Sequence, residues 1–200
     1  GFCSVTGSFR SPLARMSFSS AGLDILGSRF KLESAGVELR QSSRVTIDGV
    51  ELSRGSERYR IDATYEAETG GLDMTATLAG AELRTLADMF EGAARLEAYS
   101  GGQNATLRID LPGGMSGAID GSVRVFSAAD ELAGAIDLSG EGLALGVYPI
   151  DEMEFSGGFI GKSIEIRKFE AQNELALVEA NGKLNLERAE SSLLKVSATG

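Results

Sequence analysis

Across most of this 200-residue chain, apolar and polar residues alternate one by one. A period of two puts successive side chains on opposite faces of an extended backbone, so each such segment reads as a strand with one apolar and one wet face. The clearest stretch places Tyr59, Ile61, Ala63 and Tyr65 on one side, with Arg60, Asp62 and Thr64 on the other. The same alternation gives Val45 and Ile47; Leu72, Met74, Ala76 and Leu78; Leu107 and Ile109; Val123 and Val125; Ile136 and Leu138; Leu143, Leu145 and Val147; Ile164 and Ile166; and Leu184 and Leu186. One-faced strands belong to antiparallel sheets, because a sheet covered on both faces needs continuous apolar runs. The chain also holds 26 glycines and only 3 prolines, which suits many strands joined by tight connections.

The glycine-containing pairs predict where the chain reverses. In VTIDGVEL, a two-residue hairpin at Asp48-Gly49 sets Ile47 beside Val50 and Val45 beside Leu52, all on one face. Asn181-Gly182 fits a hairpin only in part, since it pairs Leu177 with Leu186 but sets Glu179 beside Leu184. At Asp120-Gly121 a hairpin would put Ile119 and Val123 on opposite faces, so the chain is expected to run through that glycine as a bulge. VTIDGVEL and IEIRKFEA share the order apolar-x-apolar-x-x-apolar-x-apolar, a hint of repetition.

One segment changes period. In AELRTLADMFEGAARLEA, Leu83, Leu86, Ala87, Phe90 and Ala94 fall at helical spacing, predicting an amphipathic helix over 82–98 that Gly92 weakens. The expected organisation is a first sheet segment over 1–80, the helix and its connection over 81–100, and a second sheet segment over 101–200.

Several functions are disfavoured by composition. Histidine is absent, which removes the usual general base and most zinc and nucleophile pairings, and no phosphate-cradling glycine motif occurs. The expectation is therefore a non-enzymatic protein with no catalytic residue, no metal site and no cofactor. Asp48, Asp62, Asp73, Asp120 and Asp137 alternate with apolar residues, so they read as a solvated face. Cys3, the single cysteine, reads as a small buried apolar residue. A net charge of −10 argues against nucleic acid and against an anionic lipid surface.

The stretch YPIDEMEFSGGFIGKSIEIRKFEAQNELALVEANGKLNLE resembles the repeating unit of AsmA-like and TamB-like envelope proteins. There an amphipathic strand, a glycine-containing turn and a second strand lead into an x-G-x-L-x-L element, here NGKLNL. AGAELRTLADMF followed by SGAIDGSVRV is similar in style to the short helix and glycine-punctuated strands of that group. The resemblance implies a long sheet curled into a U-shaped groove, or β-taco, apolar inside and polar outside. It implies lipid transport: phospholipid acyl chains sliding along a hydrophobic groove between membranes. It further implies a periplasmic location in the cell envelope, within an inner-membrane-anchored parent whose membrane contacts lie outside this segment, and contact with outer-membrane barrel proteins.

On this reading the groove lining comprises Val45, Ile47, Tyr59, Ile61, Ala63, Tyr65, Leu107, Ile109, Val123, Val125, Ile136, Leu138, Ile164, Ile166, Leu184 and Leu186. Leu83, Leu86 and Phe90 form a helical lid, or alternatively a plug. Alternation alone does not separate a groove from a closed β-sandwich core. A structural module that docks partner strands, as in outer-membrane protein biogenesis, is the other functional reading.

Overall fold

The computed structural model describes residues 1–8, 11–19, 21–25, 27–40, 43–89, 114–128, 131–185 and 192–200. Thirteen strands follow one another: β1 Phe2–Ser8, β2 Ser11–Phe18, β3 Ala21–Ile25, β4 Ser28–Arg40, β5 Arg44–Arg54, β6 Glu57–Glu66, β7 Gly71–Glu82, β8 Met115–Ala128, β9 Glu131–Leu145, β10 Tyr148–Ile160, β11 Ser163–Gln172, β12 Leu177–Asn185 and β13 Leu193–Thr199. A helix, α1 (83–89), lies between β7 and β8. The protein is mainly β, a single antiparallel sheet curled into an open groove and not closed into a barrel.

Each strand pairs with the next, apart from one exception: β2 and β3 both flank β4, along its second and first halves respectively. Twelve strands thus lie in one unbroken order from β1 to β13. At about 4.8 Å per step, the two edges are roughly 53 Å apart along the sheet. The sheet continues across α1, because β7 pairs directly with β8.

Among the described residues, three reversals occur at two-residue turns that open with glycine. Gly55-Ser56 joins β5 to β6, Gly146-Val147 joins β9 to β10, and Gly161-Lys162 joins β10 to β11. The three glycines have φ of 59°, 66° and 53°, which primed two-residue turns require at their first position. Val147, expected on the apolar face, sits in a turn and is 78% exposed.

The expected hairpin at Asp48-Gly49 is overturned: β5 runs straight through it. Ile47 pairs with Ala63 and Val50 with Ile61, so two residues of β5 oppose Asp62 alone. This is a bulge, with Gly49 at φ 61° and its N–H donating to Asp62 Oδ1 at 2.8 Å. The chain likewise runs through Asn181-Gly182 within β12, where the extra residue belongs to β11. At Asp120-Gly121 it continues as expected, but the bulge lies opposite, at Ala79-Gly80 of β7. There the Gly80 N–H donates to Asp120 Oδ1 at 2.7 Å. Two bulges are therefore clasped alike, by an aspartate on the facing strand. Bulges bend a strand and sharpen its twist, which is how a long sheet is made to curl.

The apolar face is the inner one. Phe30 of β4 and Tyr59 of β6 are separated by β5, yet their rings meet edge-on at 5.3 Å between centroids. Flat strands two steps apart hold their backbones roughly 10 Å apart, so side chains that meet over the intervening strand lean together on the concave side. Phe30, Leu32, Ala35 and Leu52 form a buried cluster there.

Helix α1 falls within the segment expected to be helical. Of the rest of the 82–98 prediction, Glu82 instead ends strand β7, and 90–98, including Phe90, lie outside the described residues. Cys3 is not buried: it is exposed on the edge strand β1. An edge strand has a neighbour on one side only, which leaves its side chains less covered than those of a central strand.

Candidate ligand-binding groove

Reading across the paired strands turns the alternation into rows. The longest row runs Cys3, Met16, Val37, Ile47, Ala63, Met74, Val125, Gly134, Phe159, Ile164 and Leu184, through every strand from β1 to β12 except β3. A second runs Val50, Ile61, Ala76, Val123, Ile136, Gly157, Ile166, Gly182 and Leu194. A third runs Leu32, Leu52, Tyr59, Leu78, Gly121, Leu138, Phe155, Phe169, Ala180 and Val196. No member of these rows carries a charge. A shorter row holds Leu39, Val45, Tyr65 and Leu72.

All the described members of the expected lining fall in these rows. Val45 and Tyr65 share one; Ile47, Ala63, Val125, Ile164 and Leu184 the next; Ile61, Val123, Ile136 and Ile166 the third; Tyr59 and Leu138 the last. Leu107, Ile109 and Leu186 lie outside the described residues. Of the lid residues, Leu83 and Leu86 are half-buried on α1.

Most of the row residues are half-buried. Val37, Ile47, Val125, Ile136, Phe159, Ile164 and Ile166 are neither enclosed nor fully open, and Tyr65 is 44% exposed. A sandwich encloses such residues beneath a second sheet; the described strands all belong to one sheet. The rows lie two residues apart along a strand, or three where the strand bulges, as from Ile47 to Val50, so the first two make a strip roughly 7 Å between centres and several tens of Å long.

Glycines let large side chains lie flat on this concave floor. An added Cβ at Gly134 would stand 2.3 Å from Phe159 Cε1, so the ring rests across the glycine. Phe155 and Leu138 lie similarly against Gly157 and Gly121. Inner side chains converge as a sheet curls, and omitting alternate Cβ atoms relieves the crowding.

Several lining residues escape a strict period of two. On β4, Phe30 and Leu32 share the inner face with Val37 and Leu39, although Leu32 and Val37 are five residues apart. Register shifts between them change the parity. Met153, Phe155 and Phe159 do alternate, and that spacing was the available signal for β10.

The outer face is charged and paired. Arg124 makes a two-pronged contact with Asp73 at 2.8 and 3.0 Å, Arg60 donates to Asp62 at 2.9 Å, and Lys183 meets Glu165 at 3.2 Å. The Arg124 hydrogen bond holds the Asp73 carboxyl below its ordinary value. Asp62 is lowered by Arg60 first and by the Gly49 N–H second. These carboxylates are solvated, as expected, with Asp62 and Asp120 also serving as clasps on bulges.

One polar cluster stands on the inner face. Glu57, 2% exposed, accepts from Tyr59 Oη, from Thr85 Oγ1 at 3.1 Å and from the Glu82 N–H at 3.3 Å. Arg54 Nη1 donates to Thr85 Oγ1 at 2.8 Å, and Arg54 Nε lies 3.8 Å from Glu57. Burial, then the hydrogen bond to Glu57 and its charge, push the Tyr59 hydroxyl above its ordinary pKa.

Among the described residues no cluster of histidine, cysteine or carboxylate side chains could hold a metal ion, and no helix is long and apolar enough to cross a membrane. No family model, curated protein or solved structure matches this chain.

Proposed function

We propose that this chain is a segment of an envelope protein whose curled sheet carries the acyl chains of phospholipid along its inner face. The observation that carries the reading is the uncharged, half-open row from Cys3 to Leu184, which crosses eleven strands. An exposed apolar band of that extent normally marks a binding surface. Aliphatic side chains without fixed polar partners suit a flexible hydrocarbon, whose positions along the groove are nearly equivalent in energy. The resemblance to AsmA-like and TamB-like proteins supports the same reading, and with it the periplasmic setting.

The test is photo-crosslinking from side chains placed at Val125, Ile136 and Ile164, with outer-face controls at Thr75, Ser122 and Glu165, in the presence of phospholipid vesicles. Lipid adducts at the inner positions alone are the expected result. Equal labelling of both faces, or none, sinks the proposal.

A second reading, an assembly module that adds a partner strand, draws on β13. It ends the strand order, with Leu193 66% and Val196 62% exposed. Retention of unfolded outer-membrane barrel precursors, abolished by Val196→Pro, is the outcome that favours it.

A further inference from the structure

Helix α1 stands inside the groove. Met89 packs on the cluster of Phe30, Leu32, Ala35 and Leu52, together with Val50 and Ile61 of the inner rows. Thr85, fully buried, faces Glu57 and Arg54, both on the inner face at the β5–β6 end. The helix therefore covers apolar floor over β4–β6 that would otherwise be as open as Ile136 and Ile164 are in the second half of the sheet.

What holds it is unusual for a helix on an apolar surface. Most helical stability in proteins comes from tertiary packing, so the described part of α1 (83–89) is held by what it docks on. The side chain it buries most completely is a threonine, and that hydroxyl both accepts from Arg54 and donates to Glu57. Glu57 is shared with the Glu82 N–H, just ahead of the helix, and with Tyr59. An ionic group in an apolar trough is costly unless fully partnered, and α1 supplies part of that partnering. Docking of α1 and full partnering of Glu57 are therefore coupled.

We infer that α1 is a latched end wall: it closes the β4–β6 reach of the groove to an acyl chain, and the Arg54–Glu57–Thr85 contacts are its latch. This inference rests on the groove reading for its ligand and on the helix contacts for its mechanism. An acyl chain held over β8–β12 stops at α1, and release of the latch lengthens its path towards β4.

Two arms test it on the full chain. The first needs no lipid: Leu52→Cys, beneath α1, is introduced with Cys3→Ser, and its reaction with an apolar maleimide is timed with and without Thr85→Val. About a tenfold faster reaction is expected on losing the latch, equivalent to about 1.4 kcal/mol. In the second, a diazirine-bearing fatty acid is photolysed on both proteins and its adducts are mapped by mass spectrometry. Adducts over β8–β12 in both, joined by adducts at Ile61 and Leu52 only with Thr85→Val, are the expected pattern. An unchanged maleimide rate, or Leu52 and Ile61 modified equally with the latch intact, overturns the inference. Adducts nowhere on the inner face, with the maleimide rate still raised, overturn the lipid reading and leave the latch standing. Unaltered circular dichroism of Thr85→Val confirms that the sheet survives, and Thr85→Ser, which keeps the hydroxyl, restores the slow rate.

Discussion

Replacing Gly134 with alanine tests whether the groove floor is built as described. The new Cβ would lie 2.3 and 2.6 Å from two carbons of the Phe159 ring and 2.7 Å from the Arg124 carbonyl oxygen. The ring can swing away; the carbonyl belongs to a paired strand and can shift only slightly. Overpacking of this kind costs about 1–3 kcal/mol, shared between the ring and the backbone. Phe159→Ala alone removes a half-buried ring, at about 1–2 kcal/mol. In the double variant the ring clash no longer exists, so the combined loss falls short of the sum by about 1 kcal/mol. Urea denaturation of the four proteins, followed by circular dichroism, measures that coupling. For a chain of this length the same amount corresponds to roughly 2–4 °C in Tm. Additivity to within about 0.4 kcal/mol would refute the reasoning, because distant or non-touching residues behave that way. The ring would then not lie across Gly134, and the claim that glycine makes room on the concave face would fail.

Two further outcomes follow from the bulges. Gly80→Ala puts a side chain at φ 62° with no atom closer than 3.8 Å, so it isolates backbone strain and costs about 1–2 kcal/mol, whereas Gly22→Ala, without positive φ, costs far less; equal losses in thermal unfolding would contradict the bulge geometry. Because the folded pKa of Asp62 is depressed, its contribution is present above its unfolded pKa of about 3.9 and is lost as pH falls through the lower folded value. Its exposure keeps the gain to about 1 kcal/mol or less, so Asp62→Asn is less stable than the parent at pH 7, and the gap closes below about pH 4 and narrows in high salt. A gap that widens on acidification reverses the sign and removes the clasp from the account.

The pattern apolar-x-apolar-x-x-apolar-x-apolar shows what was legible and what was not. In both VTIDGVEL and IEIRKFEA the x-x pair, Asp48-Gly49 and Arg167-Lys168, lies at a bulge. A two-residue hairpin and a two-residue bulge leave the same apolar residues on the same face, so face assignments survived while the chain direction at Asp48-Gly49 was misread. The two-residue turns Gly55-Ser56 and Gly161-Lys162, which do reverse the chain, place glycine first, and nothing in the flanking alternation distinguishes them from a bulge.

Away from register shifts such as those of β4, which side chains face the groove was thus a local matter, settled by a backbone that turns its side chains over at every residue. Val45 to Leu52 and Ile164 to Ala171 carry that information within one strand. Whether a glycine pair reverses the chain depends instead on the partner strand: at two bulges, Asp62 and Asp120 across the ladder accept from the freed N–H groups. The same holds for curvature, which required Phe30 and Tyr59 to meet over β5, and for the position of α1, whose contacts with Glu57 and Arg54 span about thirty residues of chain. Alternation determined the two faces of this sheet; pairing between distant segments decided how it curls, and which part of its apolar face a helix covers.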